Sequence, residues 1–314
     1  MFSTLLGMLP ADPFGPVGSG DDGATASDDG AAASDDRLDP VAALTAAGLD
    51  LVSDGSPPAG PDQPSETIVA RWRASAAASS VPVKAVLLGP YSSTRAAGGT
   101  PAEIAERVRS TIAALAAAGC PFVEIAEPDA LAIATDPAEA TTFADAHRRV
   151  VDGAGTIHAS LALTGGNLDG MPPALLFDLG YASFAFDLIA GPDNWRLIAQ
   201  APTDRGIICG ALELAAGADE AREVLVWAAH YAASTKGRGL ARVGLANAPA
   251  APGTAQLTRA EALRKLAIVA EASRIAGVES AEEMVGMLDP RAVGPRSAAF
   301  GRFAPARRRG HTGR

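Results

Sequence analysis

The sequence is poor in the residues that staple, ligate and bind phosphate. Cysteine occurs only twice, as Cys120 and Cys209, which excludes a disulfide framework in a chain of this size. The two are not spaced C-x-x-C, so no cysteine pair reads as a zinc or redox motif. Basic residues are outnumbered 26 to 36, for a net charge of −10, and an acidic body argues against nucleic acid as a main partner. The one basic cluster is the tail from Arg302 to Arg314, which reads as a solvated end. No apolar run is long enough to span a bilayer, and the apolar stretch Met1–Leu9 is short and has no basic flank. No membrane partner and a cytoplasmic location are therefore expected. No G-x-G-x-x-G follows the first strand, because Gly15, Gly18 and Gly20 lie in an acidic low-complexity loop, so a dinucleotide site is not expected.

What the sequence does have is apolar mass, at 48% of residues, enough for one large core. Residues 1–290 read as a single domain. Within it the acidic stretch 11–36 reads as a disordered insertion, and residues 291–314 as a disordered basic tail. Gly55–Pro64 carries four prolines and reads as irregular. The remainder alternates short apolar strands with amphipathic helices. Thr100-Pro101-Ala102-Glu103 and Thr258-Arg259-Ala260-Glu261 are capping boxes, and Asp136-Pro137-Ala138-Glu139 repeats the pattern. After the first box Ile104, Val108, Ile112 and Leu115 share one helical face, and Gly119 supplies the left-handed stop. Strands are predicted at Thr4–Gly7, Leu49–Ser53, Lys84–Leu88, Phe122–Ile125, Thr156–Leu161, Ser183–Phe186, Gly206–Leu212 and Ala241–Leu245. Eight strands separated by helices predict a closed parallel (β/α)8 TIM barrel, with a doubly wound open sheet as the competing architecture.

In such a barrel the working residues sit just beyond the C-terminal ends of the strands. Reading those positions gives Asp54, Tyr91 with Ser92 and Ser93, Glu127, His158 with Ser160, Asp187, Glu213 and Asn247. Asp54 and Asn247 read more readily as turn or cap residues. His158 stands out as a histidine within a strand, among small residues. Glu127, His158, Ser160 and Asp187 are expected to face one pocket at the C-terminal mouth.

Four segments, in order, resemble the catalytic barrel of the cobalamin-independent methionine synthase family. Phe122-Val123-Glu124-Ile125-Ala126-Glu127-Pro128-Asp129-Ala130-Leu131 resembles its IQIDEPAL strand and loop. Leu6-Gly7-Met8-Leu9-Pro10 is similar to its opening turn. Ala46–Gly55 is similar to its AGLDVLVHGE segment, and Lys84–Pro90 to its K..L.GP strand. The resemblance covers about residues 1 to 275. It implies the methionine synthase and uroporphyrinogen decarboxylase type of barrel. It also implies zinc-thiolate methyl transfer, with a homocysteine-like thiol as acceptor and a folate or corrinoid protein as methyl donor.

Carried over residue by residue, the resemblance implies a zinc site of His158, Ser160 and Asp187. Serine stands at the family's first cysteine, and aspartate at its glutamate. The second cysteine falls at Asn247-Ala248-Pro249-Ala250, where no ligand occurs. In the amino-acid pocket Met8, Ser56, Ala126 and Ala215 stand at polar or acidic family positions, leaving Glu127 and Glu213 as the substrate-binding candidates. The ligand set is thus degenerate. Three readings follow: an S-methyltransferase with an altered metal site, a metal-free barrel that binds another small molecule or is non-catalytic, and a metal-free decarboxylase-like lyase. The last would use Arg71, Arg73 and Arg95 to grip carboxylates.

Overall fold

The computed structural model describes residues 1–10, 39–168, 170–216, 221–250 and 257–288. The acidic stretch 11–36 and the basic tail 291–314 lie outside the described residues. The chain begins with β1 (Phe2–Thr4), then α1 (Pro40–Ala46), α2 (Ser65–Ala78), β2 (Ala85–Leu88), α3 (Pro90–Ala97), α4 (Pro101–Ala117) and β3 (Phe122–Glu127). It continues through α5 (Pro137–Val151), β4 (His158–Leu163), α6 (Pro173–Phe177), β5 (Ser183–Asp187), α7 (Trp195–Gln200) and β6 (Gly206–Glu213). It ends in α8 (Arg222–Ser234), β7 (Val243–Ala248), α9 (Arg259–Ala276) and α10 (Ala281–Gly286).

Among the described residues the strands form one parallel sheet of seven, in the order β1-β7-β6-β5-β4-β3-β2. The α/β barrel architecture is therefore present, and the doubly wound alternative is not, because strands β2 to β7 lie side by side in chain order. The closed eight-stranded barrel is corrected. The strand predicted at Leu49–Ser53 is reduced to isolated bridges, Leu51 to Thr4 on one sheet edge and Val52 to Val83 beside the other. The cause is local. Asp50 and Leu51 both donate to the Ser3 carbonyl, and Ser53 Oγ then accepts from the Gly55 amide. Gly55 sits at φ 72°, a left-handed turn that leads the chain away before a ladder can lengthen.

Helix ends form where the sequence places them. Both threonine boxes are reciprocal, Thr100 with Glu103 and Thr258 with Glu261. Asp136 caps α5 through the Ala138 amide alone. Gly119, at φ 89°, follows α4, and the next amide, Cys120 N, returns to Leu115 O. Ile104, Val108, Ile112 and Leu115 are all buried.

Period-two alternation divides the strands between two layers. Phe122, Ala162, Ala185, Ile208 and Ala246, with Leu6 and Leu51, cluster on the inner face of the sheet. Val123, Ile125, Leu161, Leu163, Phe184 and Phe186 face outward into the larger core shared with the helices. On β2 the outward residues are Ala85 and Leu87, which turns Lys84 inward. Its ammonium is fully buried and paired with the equally buried Glu124 of β3. It also donates to Leu5 O, just past β1, at 2.5 Å. One side chain thus ties β1, β2 and β3 together across the gap left by the missing ladder. On the far side Asn247 of β7 holds both backbone groups of Leu6, at 2.9 Å each.

Breaking a buried pair from one side leaves an uncompensated charge, which costs about 3–5 kcal/mol. Lys84→Met should therefore lower urea-unfolding stability by about that amount. Lys84→Met with Glu124→Leu should recover most of the loss, short of the unpaired Leu5 carbonyl. Equal losses in the single and double variants would show that the two charges are not coupled.

Candidate functional site

The C-terminal ends of β2 and β3 carry an anion site filled from within. Glu127, the last residue of β3, is fully buried. Its two carboxylate oxygens accept from the Tyr91 and Ser92 amides, at 3.0 and 2.7 Å, in the first turn of α3. A carboxylate there satisfies free helix N–H groups and lies at the positive end of the dipole. The approach is so close that a Cβ on Gly89 would fall 2.1 Å from Glu127 Oε1, so glycine is required before Pro90. Glu127 Oε1 also lies 3.0 Å from His147 Nε2, and His147 Nδ1 lies 2.7 Å from the Tyr181 hydroxyl. All three side chains are buried, and burial, aided by the Glu127 charge, holds the Tyr181 phenol well above its ordinary value. This relay joins β3, α5 and the approach to β5 in the helix layer, not inside the sheet. Glu127, expected at a substrate, is thus committed to internal partners, because its parity on β3 matches the outward Val123 and Ile125.

The remaining expected ligands do not converge. His158 opens β4 at the N-terminal end of the sheet. There it stacks on Phe122 with ring centroids 4.5 Å apart, and its Nε2 meets Ser183 Oγ at 2.8 Å. Burial lowers its pKa from the ordinary imidazole value. Ser160 is one inward position higher, beside Glu124 on β3 and Ser183 on β5. Asp187 closes β5 at the opposite, C-terminal end. The register Leu163 to Phe186 sets it level with residue 164, six residues beyond His158, which is about 20 Å of strand rise. Its carboxylate accepts three amides: Gly165 at 3.1 Å, Ile189 at 3.0 Å and Ala190 at 2.9 Å. It therefore works as a clasp between the loops after β4 and β5, and Asn194 adds bonds to Gly166 O and Asp187 O.

Glu213 ends β6 beyond an irregularity at Gly210/Leu212, half-buried, and its carbonyl accepts from Lys265. Among the described residues no group of three His, Cys, Asp or Glu side chains is placed to hold a metal. The donor set implied by the family resemblance does not fit a zinc centre: one imidazole, one hydroxyl and one carboxylate, spread along the barrel axis. Two arginines of the lyase reading are already engaged. Arg71 pairs with Asp54 at 2.7 Å, and Arg95 lies 5.7 Å over the Tyr91 ring. Asp54 also accepts from Ser56 N, so it serves a turn, as its position after a strand suggests.

Residues missed in the sequence are Lys84, Glu124, His147 and Tyr181. The first two had a visible signal, opposite charges embedded in adjacent apolar strands. His147 had a weaker one, falling on the α5 face of Ala140, Phe143, Ala144 and Val150. Nothing in the sequence marks Tyr181 as its partner.

No protein-family model matches the chain, and no curated protein matches it. Among solved structures it is similar to a B12-independent methionine synthase from Shewanella sp. W3-18-1 in complex with selenomethionine. That likeness has 12% identity and a TM-score of 0.58, over 79% of this chain and 87% of that one. A methyltransferase from Methanosarcina mazei is 14% identical over 67% of this chain and 64% of its own, with a TM-score of 0.46. At such identity the first likeness is one of fold.

A histidine whose folded pKa is depressed binds fewer protons in the native state than in the unfolded chain. Its contribution is intact above the ordinary value of about 6.5 and is lost as pH falls below it. Urea unfolding at pH 7.5 and pH 5 should show a smaller acid loss for His158→Phe than for the parent chain. An identical acid loss in both would show that His158 does not titrate with folding.

Proposed function

We propose that this chain is a methionine-synthase-like barrel turned to metal-free use, in which the C-terminal mouth binds a small molecule without zinc-thiolate chemistry. The observation that carries this reading is the separation of His158 from Asp187. Zinc activates a thiol only where several donors meet within about 2.0–2.3 Å of one point. Here the imidazole lies at the N-terminal end of the sheet, and the carboxylate oxygens at the other end are taken by three amides. Ser160 between them supplies a neutral hydroxyl, a poor partner for zinc beside thiolate ligands.

The amino-acid pocket points the same way. Glu127 is spent on α3 and His147. Ala126, which faces inward at the family's acidic position, brings no counter-charge for a substrate ammonium.

The test is metal content and turnover on the same preparation. Protein purified without chelator should hold far less than one zinc per chain. With added zinc, homocysteine and either methyl-folate or a methyl-corrinoid protein it should form no methionine. Turnover of about one per second, the low end for ordinary enzymes, that is lost in His158→Ala would restore the zinc methyltransferase.

A further inference from the structure

Four large apolar side chains are exposed among the described residues, and three of them, Trp227, Val285 and Met287, lie on α8 and at α10. The two elements are joined. Arg222 donates to Met287 O at 3.1 Å, and His230 Nε2 meets Met284 Sδ at 3.1 Å. Trp227 stacks on Tyr231 with centroids 5.1 Å apart, and Trp195 of α7 meets both edge-on. The result is a helix surface on which Trp227, Val285 and Met287 are exposed, with Trp195 and Tyr231 half-buried beside Trp227. Its border is acidic, with Glu279, Glu282 and Glu283 exposed beside α10.

The chain leaves the described structure at Leu288, on this face. The following 26 residues, Asp289 to Arg314, carry seven arginines, Phe300 and Phe303, and a single acidic residue. Arginine over tryptophan or tyrosine is favourable, and the acidic border matches the charge. Being part of the same chain, the segment meets this face at a higher effective concentration than a separate molecule would.

We propose that the basic segment 289–314 docks in cis on the α8–α10 face, with its phenylalanines against the Trp195–Trp227–Tyr231 cluster and its arginines against the α10 glutamates. The contact is independent of the reading of the barrel mouth.

Two of the three tryptophans belong to this face, so acrylamide quenching of tryptophan fluorescence reports on it. The full chain should quench weakly at low salt. It should quench more as salt shortens the Debye length from about 10 Å at 0.1 M to about 3 Å at 1 M. Phe300→Ser with Phe303→Ser, and separately Arg307→Glu with Arg308→Glu and Arg309→Glu, should quench strongly at all salts while circular dichroism is unchanged. A synthetic peptide of residues 289–314 should restore protection to either variant. Equal quenching in parent and variants would overturn the proposal. So would protection that rises with protein concentration, which would make a second copy the occupant.

Discussion

A parallel sheet that curls on itself must settle how its two edges meet, and here that falls largely to one ammonium group. Among the described residues, the chain between β1 and β2 offers isolated bridges at Leu51, Val52 and Ala59 in place of a ladder. Lys84 bridges the same gap from inside, reaching Leu5 beyond β1 and Glu124 on β3. A charge so placed gains little net stability over a well-packed apolar pair. It does fix which strands lie beside the gap, since apolar side chains could slide by a register step and a charged pair could not without burying a bare ion.

The same economy of charge runs through the C-terminal mouth. In a barrel enzyme, acidic residues after strands are the usual tools of chemistry. Here Glu127 pins a helix N-terminus and a His–Tyr relay, and Asp187 clasps two loops. A carboxylate that already accepts two or three strong hydrogen bonds has little capacity left for a metal or a substrate. Both carboxylates thus hold the scaffold together.

Much of this fold was legible beforehand because its signals are local. Capping boxes at Thr100 and Thr258, the glycine stop at Gly119 and the apolar face of α4 depend on neighbours within a few residues. Seven of the eight expected strands appear for the same reason. The eighth failed because Leu49–Ser53 is apolar enough for a strand but is followed at once by the Gly55 turn. The site was less legible. Strand parity is a matter of one residue, and placing Glu127 inward instead of Ala126 reverses its role. Position along a strand is equally delicate. His158, expected within its strand and facing the C-terminal mouth, in fact begins the strand, which moves the imidazole to the other end of the barrel. The buried pair of Lys84 and Glu124 was written in the sequence but joins residues 40 apart, and no local pattern says that two strand charges will meet.

Asn247 has a consequence for the order in which the molecule can be made. Its amide side chain holds Leu6 across 241 residues of chain, and among the described residues the regular strand partner of β1 is β7. Of the described strands β1 is made before all the others, and it must wait for β7. Strands β2 to β7 can pair with a neighbour as each emerges, because each lies beside the one made before it. Joining β1 to β7 carries the largest loop-closure entropy in the sheet and comes late, after most of the domain is synthesised. Until then the apolar residues Leu5 and Leu6 have no strand to cover them, and the nascent chain presents them to whatever chaperones attend it.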